Sequence, residues 1–215
     1  MDNSIAGEKP ADDAVVDSIR LLMTRHIRPI LVAIDGPSGS GKSTFARRIA
    51  DQFGGALIQS DDFFAAGISN AGWDARTARE RAADAIDWRR VRVEALEPLL
   101  AGKPAKWHPF DFAAGVRADG SYRMRSDFVE REPARVIVLE GAYSTGDAVA
   151  DLIDLTVLVD APRELRHARI RAREEPAFLA AWHARWDAAE DVYFTQMRPP
   201  SSFDLVVTST AIPSS

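Results

Sequence analysis

A chain of 215 residues that is 46% hydrophobic can bury one sizeable core, and its formal charge of −5 excludes the basic surface that a nucleic-acid carrier needs. The absence of cysteine excludes disulfides and the usual zinc clusters, and the most apolar runs are strand-sized, well short of the ~18 residues of a membrane helix. Met1 to Pro10 is polar and acidic rather than signal-like, so the expectation is a cytoplasmic protein that meets a small molecule, with neither nucleic acid nor membrane as partner.

In chain order, residues 1–10 read as a tail, and from Ala11 to Ile27 the residues Val15, Val16, Ile19, Leu22 and Met23 recur at helical spacing. Residues 1–28 thus form a tail and helix before a core domain over 29–208. Within it we expect strand 30–35, helix 43–53, strand 56–60, helix 87–101, strands 135–139 and 155–160, helices 163–174 and 177–197, and strand 203–208, with 209–215 as a second tail. Such alternation implies a parallel sheet covered by helices on both faces. Residues 65–132 break the rhythm with Gly, Asp, Trp and Arg, carry a hairpin signal at Asp119-Gly120, and are read as a substrate-facing insertion.

The most informative run is Gly36-Pro37-Ser38-Gly39-Ser40-Gly41-Lys42-Ser43-Thr44, which meets the spacing G-x-x-x-x-G-K-[ST] between an apolar run and a helical pattern. Its glycines let successive N–H groups point inward to phosphate. Lys42 adds charge for the β- and γ-phosphates, and Ser43 offers a hydroxyl to Mg²⁺. Ligands of open parallel sheets bind beyond the carboxyl ends of the strands. Gln59-Ser60-Asp61-Asp62-Phe63-Phe64 ends the second strand, Leu139-Glu140-Gly141-Ala142-Tyr143 the third, and Val159-Asp160-Ala161-Pro162 leads into Arg163, Arg166, Arg169, Arg171 and Arg173. In an extended strand Asp61 and Asp62 point to opposite sides, so one of them enters the site. Glu140 is placed to hold Mg²⁺ directly or through water.

These blocks, in this order over residues 29–175, resemble the uridine kinase and phosphoribulokinase-like group of P-loop kinases, which includes nicotinamide riboside and pantothenate kinase relatives. The resemblance implies a three-layer α/β P-loop fold with a small substrate-binding insertion and a lid over 161–176. It implies an enzyme that uses ATP and Mg²⁺ to phosphorylate a hydroxyl of a nucleoside-like or sugar-containing metabolite. Asp61 takes the place of the catalytic aspartate, Glu140 that of the Mg²⁺-associated glutamate, and Arg169 and Arg173 those of the lid arginines. Ser43, Asp61 and Glu140 are then the metal set, and Asp61, Lys42, Arg169 and Arg173 the catalytic set.

For the acceptor, Trp107-His108-Pro109-Phe110-Asp111-Phe112 is similar to a uridine kinase segment ending Y-D-F, so Phe110 and Phe112 join Phe64 and Tyr143 as candidate substrate contacts. Asp74, in the pair Trp73-Asp74, is the candidate for sugar hydroxyls. Gly115 stands near the position of the uridine kinase histidine, a departure from that pattern. Phe110 and Phe112 alternate as ordinary core residues also do, and Trp182 and Trp186 read as helix packing. His167 and His183 have no metal-ligand spacing along the chain and are read as helix-face residues. A nucleotide-dependent switch is disfavoured by the lack of an N-K-x-D or L-S-G-G-Q motif. A homo-oligomer is compatible with the sequence.

Overall fold

A computed structural model of the chain describes residues 11–114, 117–118, 121–172 and 176–209. Gly115, the Asp119-Gly120 turn, Arg173 and both tails lie outside the described residues.

The strands are β1 (Ile30–Asp35), β2 (Ala56–Gln59), β3 (Ala105–Trp107), β4 (Val129–Arg131), β5 (Val136–Glu140), β6 (Leu155–Asp160) and β7 (Leu205–Thr208). Five of them form a parallel sheet in the order β2-β5-β1-β6-β7, while β3 and β4 pair antiparallel in a separate two-stranded sheet. Every residue of β1 and of β5 is buried, as a parallel strand covered on both faces requires. Alternation sorts their side chains. Ile30, Val32, Ile34, Val136 and Val138 face a cluster built with Val15, Val16 and Ile19 of α1 (Ala11–Arg25) and Phe45, Ala46 and Ile49 of α2 (Lys42–Phe53). Leu31, Ile137, Leu139 and Ile58 face the other helical layer. The N-terminal helix is therefore part of the core layer, and the Arg135 guanidinium donates to the Met23, His26 and Ile27 carbonyls at its end.

The insertion holds structure that apolar periodicity missed. Helix α3 (Asn70–Ala75) is capped by Ser69, whose hydroxyl accepts from Gly72 N, and α4 (Ala78–Asp84) opens with a capping box of Thr77 and Glu80. The helix expected over 87–101 is realised as α5 (Trp88–Arg90), a π-helical turn (Val91–Leu96) and α6 (Glu97–Leu100). Further on, α7 (Arg163–Arg171) ends earlier than expected, and α8 (Pro176–Val192) passes into a second π-helical turn at Tyr193–Met197. The second strand stops at Gln59, and Ser60–Phe63 form a 3₁₀ turn, so strand alternation does not orient Asp61 and Asp62. Among the described residues no helix is long and apolar enough to cross a membrane.

Candidate active site

The loop after β1 is shaped by close backbone approach. Gly36 (φ 154°), Gly39 (φ 78°) and Gly41 (φ 96°) occupy conformations that favour glycine. A Cβ on Gly36 would lie 2.2 Å from the Val159 carbonyl oxygen of β6, and one on Gly39 2.5 Å from the Arg166 carbonyl oxygen of α7. Between these walls Pro37 and Ser40 are buried, and Gly41 is the residue from which α2 starts. Lys42, Ser43 and Thr44 thus occupy the first turn of a 12-residue helix, where unpaired N–H groups and the helix dipole favour an anion.

Beneath the loop lies Asp35, fully buried. Its carboxylate accepts from Gly36 N at 2.8 Å, Tyr143 N at 2.9 Å, Thr145 N at 3.0 Å, Thr145 Oγ1 at 2.7 Å and the Tyr193 hydroxyl at 2.9 Å. One side chain therefore ties the start of the phosphate loop to the loop after β5 and to the end of the α8 rod. Burial pushes its carboxyl above the usual range, against the pull of those donors. Tyr143, expected at the acceptor, is instead buried, with φ 72° and its ring 4.9 Å from that of Tyr193. Its local role is to present its N–H to Asp35.

At the end of β5, Glu140 stands level with Ile34 of β1 and Gln59 of β2, which sets it directly beside the loop. It is 4% exposed and accepts a hydrogen bond from Ser43 Oγ at 2.8 Å. Burial raises its carboxyl, Lys42 opposes that, Asp61 adds to it, and Ser43 and Gln59 donate to the charged form. Four groups from the ends of β1 and β2 thus act on one carboxylate at the end of β5. Ser43 Oγ and the Glu140 carboxylate are both oxygen ligands, which suits a small hard cation such as Mg²⁺.

The 3₁₀ turn separates the two aspartates. Asp62 turns to the β3–β4 sheet, accepting from Trp107 Nε1 at 2.8 Å, while its backbone carbonyl accepts from Phe110 N at 2.7 Å. Burial pushes its carboxyl up. Asp61 is exposed, and its charge acts on Glu140 and Tyr143, which sets it on the phosphate-loop side.

Helix α7 lies on the loop. Arg169 Nη1 donates to the Gly39 and Ser40 carbonyls at 3.1 and 3.0 Å, and Nη2 to Ser209 Oγ at 3.0 Å. Arg166 reaches the Ser38 carbonyl at 3.3 Å and pairs with Glu190 of α8 at 3.4 Å. Glu190, 5% exposed, accepts from Ser38 N at 3.0 Å, and burial raises its carboxyl. Sequence reading missed Asp35, Thr145, Tyr193 and Glu190. Asp35 was findable as a carboxylate at a strand end; Glu190 sits 152 positions from Ser38 and carries no local signal.

Beyond Asp61 the character changes. The Phe64 ring is 4.9 Å from Phe110, 5.5 Å from Trp73, 5.8 Å from Trp186 and 6.3 Å from both Phe112 and Tyr122. Trp186 thus packs against the insertion. Phe112 is 65% exposed, and the buried Trp73 Nε1–H finds no acceptor among the described residues. Asp74, expected to hold sugar hydroxyls, forms an ion pair with Arg185 at 2.9 Å, and Arg185 also donates to Asn70 Oδ1, which accepts from the Tyr122 hydroxyl of the aromatic cluster.

A family model for the phosphoribulokinase / uridine kinase family matches residues 31–175. The chain is 31% identical over 158 residues to a uridine kinase of Deinococcus deserti, spanning 71% of this chain and 72% of that one, and 32% identical over 152 residues to a uridine kinase of Lactobacillus johnsonii, spanning 68% of each. A solved structure described as a possible uridine kinase from Bacillus stearothermophilus superposes with a TM-score of 0.62 at 18% identity, over 90% of this chain and 99% of that one. The YGR205w protein superposes at 0.58 with 16% identity, over 94% of each chain. At those identities the superpositions speak for the fold. With the sheet order and the phosphate loop in place, the chain belongs to the phosphoribulokinase / uridine kinase family of P-loop kinases and is a phosphotransferase.

Proposed function

We propose that the protein is an ATP- and Mg²⁺-dependent cytoplasmic kinase that transfers the γ-phosphoryl group to a hydroxyl of a nucleoside-like or other sugar-containing metabolite. The observation that carries this reading is the convergence of Lys42, Ser43 and Asp61 on Glu140. A binding module needs the loop but not a second carboxylate beyond it. In phosphoryl transfer the protein contributes positioning and charge rather than covalent chemistry, and these are the parts required. The loop amides and the α2 N-terminus bind the phosphates, and Lys42 balances their charge. Ser43 and Glu140 would hold Mg²⁺, which supplies neutralisation of the phosphate oxygens. Asp61, exposed between the loop and the aromatic cluster, orients the acceptor hydroxyl and takes its proton. Arg169, and Arg173 as the family pattern implies, close over the transferring group.

On the acceptor side, Phe64, Phe110 and Phe112 offer ring faces to a base or other flat group. Gly115 in place of the uridine kinase histidine argues for an acceptor whose edge is recognised differently, and a nicotinamide riboside-, pantothenate- or sugar-like alcohol belongs in the same test. The assay is ADP release with ATP, Mg²⁺ and a panel of nucleosides, ribosides, sugars and pantothenate-like alcohols. Stimulation by one acceptor is expected, with kcat reduced ~10²–10⁴-fold in Asp61→Ala and the KM for ATP nearly unchanged. Hydrolysis that ignores every acceptor and responds only to a protein would overturn the reading in favour of a switch.

A further inference from the structure

Helices α7 and α8 meet at a group that phosphoryl transfer does not use. His167 of α7 faces His183 and Asp187 of α8, and their ligand atoms all lie within 4.8 Å of one another. His183 Nδ1 is 3.0 Å from Asp187 Oδ1, His167 Nε2 is 3.8 Å from Asp187 Oδ2, and the two imidazole centroids are 4.6 Å apart. Chain spacing alone hides this arrangement, because only the (i, i+4) pair His183 and Asp187 shares a helix. We propose that His167, His183 and Asp187 form a site for one divalent ion of the zinc class, bridging α7 to α8.

A tetrahedral centre with metal–ligand bonds of ~2.0–2.1 Å sets its ligands ~3.3 Å apart, so the two measured separations from Asp187 bracket the required spacing. Small side-chain rotations bring the imidazoles together. Two imidazoles and one carboxylate favour Zn²⁺, Co²⁺ or Ni²⁺ over Mg²⁺, whose preference is for oxygen, so this site is chemically distinct from Ser43 and Glu140. The side chains are 23–25% exposed, which leaves a way in for the ion and a solvent position for a fourth ligand. Among the charged groups facing the cluster, Arg163 lies 3.8 Å from Asp187 and 3.2 Å from Asp191 and opposes a dication. At His183 the ion takes the Nδ1 lone pair of the neutral ring, whose proton then sits on Nε2, so the contact between Nδ1 and Asp187 gives way to one metal bond from each.

The site lies where it can act. Arg166 adjoins His167, and Glu190 is one turn beyond Asp187; these two hold the carbonyl and the amide of Ser38. An ion between α7 and α8 fixes the separation of the two helices that brace the phosphate loop.

The test uses the full chain without nucleotide or acceptor, so it is independent of the kinase reading. Titration with Co²⁺ alone is expected to give the visible absorption of a four-coordinate centre, saturating at one equivalent and displaced by one equivalent of Zn²⁺. Zn²⁺ is expected to slow amide exchange in α7 and raise the melting temperature. His167→Ala and Asp187→Asn, each checked for an unchanged metal-free circular dichroism spectrum, should weaken binding by more than the ~10–100-fold seen when only a supporting residue is lost. His108→Ala, in the β3–β4 region, should bind as the wild type does. No Co²⁺ absorption in the wild type, binding that survives both ligand variants, or loss in His108→Ala would each overturn the site.

Discussion

The two sides of the cleft are built on different physics. On the phosphate side, position is set by directional bonds: a buried carboxylate with five donors under the loop, a glutamate held by a serine hydroxyl, and glycines whose Cβ positions are already filled by backbone. On the aromatic side, position is set by rings: Phe64 lies within 6.3 Å of five other aromatic centroids, and Phe112 is mostly exposed. Directional bonds have one good geometry, whereas tilted ring contacts have many of nearly equal energy. The first holds one arrangement, and the second can accommodate several.

Removing the centre of the polar framework breaks this comparison most severely. In Asp35→Ala the Gly36 and Tyr143 amides, Thr145 and the Tyr193 hydroxyl lose their acceptor inside the protein. Each orphaned donor costs ~1–3 kcal/mol and the terms do not add fully, so the expected loss is ~3–5 kcal/mol in a urea melt. Relief of the buried charge offsets part of this. Asp35→Asn, which keeps one acceptor oxygen, should recover about half. A loss below ~1 kcal/mol in the alanine variant would mean that water replaces the carboxylate and that the framework is not directional.

The aromatic side should respond in a graded way. Phe64→Ala removes the ring at the middle of the cluster and is expected to cost ~2–3 kcal/mol, while Phe112→Ala should stay within ~1 kcal/mol because its ring is already in solvent. If the rings hold the acceptor, Phe112→Ala raises the acceptor KM several-fold while leaving the KM for ATP alone, and steady-state kinetics with each substrate varied in turn separates the two. An equal rise in both would tie Phe112 to the whole fold rather than to one half of the cleft.

This division also sets what the sequence discloses. The phosphate loop and the alternation of strands and helices behind the parallel sheet are legible because each is written in residues adjacent in the chain. Strand alternation could not say which of the two aspartates faces the loop, because a 3₁₀ turn replaces strand geometry at Ser60–Phe63, and the choice of Asp61 rested on the resemblance alone. The helices α3 and α4 had capping signals in Ser69 and in Thr77 with Glu80, but a pattern search tuned to apolar repeats passes over such short pieces. The partner of Asp74 was not legible for a different reason: Arg185 lies 111 positions away. Glu190 and the His167–His183 pair likewise arise only when α7 packs on α8.

The smallest effect concerns how Glu190 holds the loop, and its sign follows from burial. Its carboxyl has an ordinary value of 4.5 and is raised in the folded chain, as those of Glu140 and Asp35 are raised from theirs. Between the ordinary and the raised value the folded state binds more protons than the unfolded one, so stability falls as pH rises. The contribution is fully present below the unfolded value and is lost as pH climbs through the folded one. Glu190→Gln keeps a carbonyl oxygen for the Ser38 amide but cannot ionise, so its melting temperature should decline less steeply than the wild type's from pH 4.5 upward. The opposing term is Arg166, which loses its ion-pair partner at 3.4 Å and retains only the Ser38 carbonyl at 3.3 Å. That pair exists only while Glu190 is ionised, so its contribution is already contained in the net rise of the Glu190 carboxyl and adds no separate offset to the curve. Parallel curves for the two proteins would show that Glu190 keeps one protonation state on folding. The loop would then be braced by a fixed charge pair, and the pH response would have to come from Glu140 and Asp35.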